Sequence, residues 1–328
     1  MSAPVRPVGR HDNEVAAAGP LGSGWHYLRK FRHASGSPVP RTTVVIPALN
    51  AVEVIGDQLD ALSRQTHDGD WEVVVVDNGS TDGTTAAVAA WADRLPALRV
   101  VDASSRRSHT FARNTGARAA AGDLLLYCDA DDIVVPDWVD AFVRAADEGG
   151  CDFMGGFVDD VTLNDPRHAD WRQSPPPDRL PEKMDFLPLA ISANLAIRRS
   201  VLFDIGGWNE SYGEGCNDVE LSWRAQVAGC RLCYVPEAVI AYRYRSSMRA
   251  LARQMYRRGL AEPQLYADFR PHGLPRRPVW RMAGGVAKLA VRSPDLVRGE
   301  GPRGRWINHA ATVLGRVRGS ARHRCLYL

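Results

Sequence analysis

From about residue 42 the chain alternates short, mainly apolar runs with longer stretches that are apolar on one face only. The runs at 42–47, 71–76, 98–101 and 124–128 are rich in Val, Ile and Leu. All four predict strands, and the unbroken apolarity of 124–128 predicts one buried on both faces, as in a parallel sheet. Between the first two, Val52, Ile55, Leu59 and Leu62 recur at helical spacing. Further helices are predicted over 84–93 and 110–121. A β-α-β-α-β-α-β series of this spacing implies right-handed crossovers and a mostly parallel central sheet flanked by helices.

The pattern changes after Asp132. Pro136 opens a helix that ends near Gly149-Gly150. Strand-like residues cover 152–163, and a loop follows around Pro175-Pro176-Pro177. A short helix over 201–205 is stopped by Gly206-Gly207, and a longer one over 218–228 by Gly229. Strands at 231–235 and 239–242 close this half. The remainder is helical in pattern and broken by Pro271, Pro275 and Pro278. Residues 1–40 are rich in Gly, Pro, Ala and Ser without a period, and predict a loose N-terminal extension. Four segments are therefore expected: the extension (1–40), a first half (41–135), a second half (136–245) and a mainly helical C-terminal extension (246–328).

Composition excludes little: 45% apolar and 24% charged residues describe an ordinary globular chain of 328 residues. Charge is more informative, because a net +3 conceals a division. From Arg243 to the C-terminus there are 19 basic and 4 acidic side chains, so the body is acidic and the tail basic. Such a tail predicts an anionic partner, with an anionic membrane surface a candidate and nucleic acid unsupported by any motif. Arg305-Trp306-Ile307 and the segment 313–328 mix arginines with apolar and aromatic residues as interfacial helices do, while packing of the tail on the body is the competing expectation. No apolar run reaches the roughly 18 residues of a membrane span. The six cysteines suggest no disulfide framework, and Cys230 and Cys233 read as core residues within a strand. Together with the lack of a signal peptide, this predicts a reduced, cytoplasmic location, peripheral on the membrane at most.

Chemistry concentrates where the fourth strand ends. Asp129, Asp131 and Asp132 fall just beyond its carboxyl end, where open α/β sheets place ligands. Like charges so close need a cation or a donor network, and hard oxygen ligands favour Mg²⁺ or Mn²⁺. An acidic turn capping the next helix is the plainer alternative. Asp77 closes the second strand within Asp77-Asn78-Gly79-Ser80-Thr81-Asp82, a loop that also supplies turn and cap residues. Arg113 is placed in the first turn of its helix, where the dipole disfavours a cation and an anionic ligand would explain it. Asn217 with Glu220 fits a capping box, and Asp218 suits a first turn.

Six markers in order, from Val44-Val45-Ile46-Pro47-Ala48-Leu49-Asn50 through Asp77-Asn78-Gly79-Ser80-Thr81-Asp82, Ala112-Arg113-Asn114-Thr115-Gly116, Asp129-Ala130-Asp131-Asp132 and Gly206-Gly207-Trp208-Asn209-Glu210 to Asn217-Asp218, resemble an inverting glycosyltransferase of family 2 with the GT-A fold. The resemblance covers roughly Thr43 to Arg245. It implies a nucleotide-sugar-binding first half and an acceptor-binding second half. Pro47 and Asn50 would border the nucleotide, Asp77 would accept from the base, Arg113 would meet diphosphate and Asp129 the ribose or the metal shell. Asp131 would bind a divalent Mg²⁺ or Mn²⁺ ion. Asp218 would be the general base, and Asn194, Trp208 and Asn217 would contact sugar or acceptor. The implied reaction transfers one sugar from a nucleoside diphosphate donor, UDP-linked by expectation, to the hydroxyl of a lipid carrier, glycan or secondary metabolite.

The chain departs from the family pattern in three places. Asn217 stands where relatives usually carry an acid, no histidine follows the last core strand at Ala241-Tyr242-Arg243-Tyr244, and Gln254-Met255-Tyr256-Arg257-Arg258 lacks the tryptophan of processive synthases. Two alternatives stay open: an inactive module that binds nucleotide sugar or membrane, and a nucleotidyltransferase, although no glycine-rich phosphate loop follows the first strand.

Overall fold

The computed structural model describes residues 41–327 apart from Glu214; the expected N-terminal extension lies outside the described residues. Strands and helices first alternate: β1 (Thr42–Ala48), α1 (Ile55–Ser63), β2 (Trp71–Asp77), α2 (Thr84–Ala89), β3 (Arg99–Asp102), α3 (His109–Ala119) and β4 (Leu124–Tyr127). There follow β5 (Ile133–Val134), α4 (Trp138–Asp147), β6 (Phe153–Asp159), α5 (Pro166–Ala169) and a small hairpin of β7 (Glu182–Lys183) and β8 (Leu187–Pro188). Next come β9 (Leu195–Arg198), α6 (Arg199–Asp204), α7 (Asn217–Val227) and β10 (Leu232–Ala241). The C-terminal helices are α8 (Met248–Phe269), α9 (Val279–Val291) and α10 (Glu300–Arg322).

The main sheet has the order β3-β2-β1-β4-β9-β6-β10-β5. It is mostly parallel, but β9 runs antiparallel between β4 and β6, and β5 antiparallel beside β10. The two strands expected at 231–235 and 239–242 are one strand, β10, with a register shift between Val235 and Val239.

Alternation within the central strands explains why both faces are covered. Val44 and Ile46 point into one core with Ile55, Leu59 and Leu62 of α1 and Phe142 of α4. Val45, Val74 and Val76 point into the other with Ala112 and Ala117 of α3. The α3 side permits a close approach only because residue 116 is glycine: a Cβ there would fall on the side chains of Val45 and Val76.

One expectation is corrected here. Cys151, just before β6, and Cys233 in β10 form a disulfide between adjacent parallel strands. The sequence concealed the pair because its members are 82 residues apart. The expected reduced location therefore loses its cysteine argument.

Of the two expectations for the tail, packing on the body describes residues 305–307 and 313–327. α10 packs along α8 across a seam where a Cβ on Gly259, Gly315 or Gly319 would strike the backbone oxygen of Thr312, Tyr256 or Leu260. The Trp306 indole donates to Leu289 O, Val313 is buried, and Tyr327 stacks on Tyr266 at 5.4 Å. Glu262 of α8 is the electrostatic centre of this seam. It accepts from Lys183 at 2.6 Å and from Arg316 at 2.5 Å, so the hairpin, α8 and α10 share one buried anion.

Candidate active site

The site forms at the carboxyl ends of β1, β2 and β4, where parallel strands present their loops. Asn50 adopts a left-handed backbone (φ 50°) as β1 leaves the sheet. Its amide nitrogen donates to Ser80 Oγ and its side-chain oxygen accepts from the Thr81 amide, so the β1 and β2 loops are tied together. Asp77 caps the β2 loop by accepting from the Ser80 amide at 3.1 Å. Asn78, which was not singled out from sequence, fastens the next loop: it donates to Ala103 O and Arg106 O and accepts from the Ser108 amide. Pro47 is buried within β1 rather than at its end.

Arg113 is the hub. Its side chain is 3% exposed and lies over the Trp208 ring at 4.8 Å. It donates to Asp129 Oδ1 at 2.9 Å, to Ser192 Oγ at 3.1 Å and to Asn217 Oδ1 at 3.1 Å. One buried cation thus links the end of β4 to the first turn of α7. The placement of Arg113 in a first turn is corrected: α3 begins at His109, so this residue lies in the second turn, away from the unpaired amides. Its carboxylate partner, rather than relief of a dipole conflict, accounts for the position.

Beyond β4, ligand oxygens of Asp129, Asp131 and Asp132 all lie within 4.8 Å of one another. Asp132 is fully buried; its Oδ1 accepts from the Arg243 amide at 2.8 Å, and its Oδ2 has no partner among the described residues. Burial, followed by the charges of Asp129 and Asp131, pushes its carboxyl well above the usual range. Burial and then Asp129 also raise Asp131, against the opposing pull of Arg245, which donates to Asp131 Oδ2 at 2.9 Å. A divalent cation fits this arrangement: the donors are hard oxygens, one buried oxygen is orphaned, and the group is short of positive charge. Where a histidine was sought after β10, Arg243 and Arg245 reach back instead, Arg243 donating to Asp131 O. The alternating Tyr-Arg-Tyr-Arg sequence carried this signal, since side chains two apart on an extended segment face the same way.

α7 does not start as its sequence implied. Cys216, at φ 56°, is the residue before the helix and makes no side-chain cap; Asn217 is already helical and turns to Arg113. Glu220 pairs with Arg224 at 2.7 Å instead of closing a capping box. Asp218 is half-buried in the first turn, its Oδ1 accepting only from the adjacent Val219 amide. Its other oxygen has no protein partner among the described residues.

Two residues expected to contact sugar or acceptor lie inside the protein. Asn194 is fully buried and saturated: it donates to Phe157 O and Ala238 O and accepts from the Trp138 indole, so it braces β9 against β6 and β10. Trp208 is 1% exposed and edge-on to Tyr127; it supports the Arg113 guanidinium and is closed to an acceptor. The loop holding Trp208 is pinned by Asn114, which donates to Trp208 O and accepts from the Trp208 amide. That explains the Asn following Arg113 in its motif.

Comparison with known proteins bears on the family and the fold. Glycosyltransferase AglE of Haloferax volcanii is 28% identical over 231 residues, covering 70% of this chain and 75% of AglE. A validoxylamine A glucosyltransferase of Streptomyces hygroscopicus subsp. jinggangensis is 31% identical over 227 residues, 59% of this chain and 53% of its own. The pre-mycofactocin glycosyltransferase of Mycobacterium tuberculosis is 28% identical over 311 residues, 87% of this chain and 56% of its own. The chain thus spans only about half the length of the last two.

Among solved structures, a mannosyltransferase from Pyrobaculum calidifontis in complex with GDP-Man and Mn²⁺ superposes with a TM-score of 0.58 at 22% identity, covering 86% of this chain and 88% of its own. Staphylococcus aureus TarS 1–349 in complex with UDP gives 0.51 at 18%, covering 88% and 93%. These likenesses establish the GT-A fold. The sequence model described as glycosyl transferase family 2 matches residues 43–206, half of the chain, and the protein belongs to that family of glycosyltransferases.

Proposed function

We propose that this glycosyltransferase moves a single sugar, with inversion, from a nucleoside diphosphate donor to an acceptor hydroxyl, using Mg²⁺ or Mn²⁺. The observation that carries the reading is the Arg113 bridge, which connects Asp129 of the acid cluster to Asn217, the neighbour of Asp218. It couples a donor-side acid to the residue suited to activate an acceptor.

Asp77 and the Asn50–Thr81 clasp would form a polar edge for the nucleotide base, and Asp129 would contact the ribose or the metal shell. Asp131, with Asp129 and Asp132 beside it, would hold the ion, whose chemistry when bound is Lewis-acid stabilisation of charge on the departing diphosphate. Arg113 and Arg245 add fixed positive charge beside the same oxygens. Asp218 takes the acceptor proton as the hydroxyl attacks, a role worth about 10²- to 10⁴-fold in rate. UDP as the carrier nucleotide and a lipid carrier, glycan or secondary metabolite as acceptor belong to this proposal. Support comes from two fold relatives, one in complex with GDP-Man and Mn²⁺ and the other with UDP.

Donor turnover should require divalent metal and vanish in both Asp131→Ala and Asp218→Asn. Donor protection against thermal unfolding should survive Asp218→Asn and be lost in Asp131→Ala. Activity like the parent's in either variant rejects the role of that residue.

A further inference from the structure

α9 is among the most apolar helices of the chain and the most poorly covered. Its sequence, Val-Trp-Arg-Met-Ala-Gly-Gly-Val-Ala-Lys-Leu-Ala-Val, has two charges in 13 residues. Among its described side chains only Met282 is buried; Trp280 is 70% exposed and Val291 79%. A surface helix normally turns such residues inward.

At about 100° per residue the helix divides into distinct faces. Met282, Gly285 and Leu289 share the inner one, where α10 docks by bonding His309 to Gly285 O and Trp306 to Leu289 O. Trp280, Gly284, Ala287 and Val291 share the opposite face and meet solvent; Val286, about 40° around the helix from Met282, is exposed at the border of the inner face. Arg281, Lys288 and Arg292 form a single stripe between the two. The apolar face is therefore flanked by a row of cations. Just beyond it, Val297 is 83% exposed and adjoins Arg298.

We propose that α9 is a membrane-docking element that lies in the plane of an anionic lipid surface, with Trp280 and Val291 immersed and Lys288 at the headgroups. Charge complementarity selects this partner: residues 276–303 carry seven basic and two acidic side chains. Geometry selects the in-plane pose, since 13 residues extend about 20 Å, short of the roughly 30 Å hydrocarbon layer. No helix among the described residues is long and apolar enough to cross a membrane. A tryptophan at the end of an apolar face is also suited to the headgroup boundary. The proposal is independent of the transfer chemistry: a chain inert toward every donor would still bind lipid.

The test is flotation of the full chain with vesicles of phosphatidylcholine alone or with one-third phosphatidylglycerol. The parent should float with the anionic vesicles and stay behind with the neutral ones. Trp280→Glu/Val291→Glu should lower the bound fraction about tenfold or more while leaving the unfolding temperature unchanged, because both side chains already face solvent. Lys288→Glu should weaken binding and reduce its salt sensitivity. Absence of parent binding to anionic vesicles, or equal binding by the double variant, overturns the proposal. So does a concentration-dependent dimer that the double variant abolishes while no vesicle binds, since the face would then be covered by a second copy.

Discussion

Replacing Glu262 by glutamine should cost the protein a substantial part of its stability although the side chain lies far along the sequence from any proposed catalytic residue. Glu262 is 3% exposed at its side chain, and its partners Lys183 and Arg316 are 8% and 16% exposed. Arg258 stands 4.0 Å away on the solvent side. Glutamine keeps the shape and removes the charge that compensates buried Lys183 and half-buried Arg316. Breaking a buried pair from one side costs about 3–5 kcal/mol. At about 2 °C per kcal/mol for a chain of this size, the midpoint should fall by about 6–10 °C. The exposed Glu237→Gln should move it by less than about 1 °C.

The same carboxylate gives a pH signature. Burial alone would raise its pKa, but Lys183, Arg316 and Arg258 overcome it and hold the group well below the usual carboxylate range. Its contribution is therefore complete above the unfolded-state value near 4.3 and declines as pH falls through the folded value. Thermal scans from pH 6 to pH 3 should show a loss for the parent that the glutamine variant lacks. A variant midpoint within 2 °C of the parent at neutral pH would refute the claim that this anion holds the seam.

Arg113→Lys keeps the charge but cannot reach Asp129, Ser192 and Asn217 together; turnover should fall about 10- to 100-fold, with far-UV circular dichroism retained. Gly116→Ala should cost about 1–3 kcal/mol in urea unfolding, because its methyl group meets Val45 and Val76. Replacing both Cys151 and Cys233 by alanine should lower stability by about 2–4 kcal/mol, and reductant should then have no further effect on the variant's midpoint.

The part of this molecule most legible in its sequence was the part built from local periodicity. The apolar runs of β1, β2 and β4 and the helical spacing of α1 are self-contained signals, and the acid cluster follows from where β4 stops. Three things were hidden because each depends on partners distant in sequence. Nothing in the four residues of β9 reveals that it inserts antiparallel between β4 and β6. Asn217 and Glu220 imitate a capping box, and only Arg113 and Arg224 show that both side chains are engaged elsewhere. Asn194 looked like a polar residue at a strand entrance, yet it satisfies three groups inside the core. Local pattern predicts an element; competition among distant partners decides what its polar side chains do.

The Cys151–Cys233 bond also changes the covalent topology of the protein. It closes a ring that contains β6, the hairpin, β9 and α7, and therefore Ser192, Trp208, Asn217 and Asp218. The donor-side loops and the acid cluster lie outside that ring, on the open chain before it. Arg113 is thus more than an ion-pair partner: it is a noncovalent rivet between a linear segment and a macrocycle. A single cut anywhere in the ring would leave every residue of the second half attached to the same molecule, so long as the bridge stays oxidised. Reduction would turn that cut into a release.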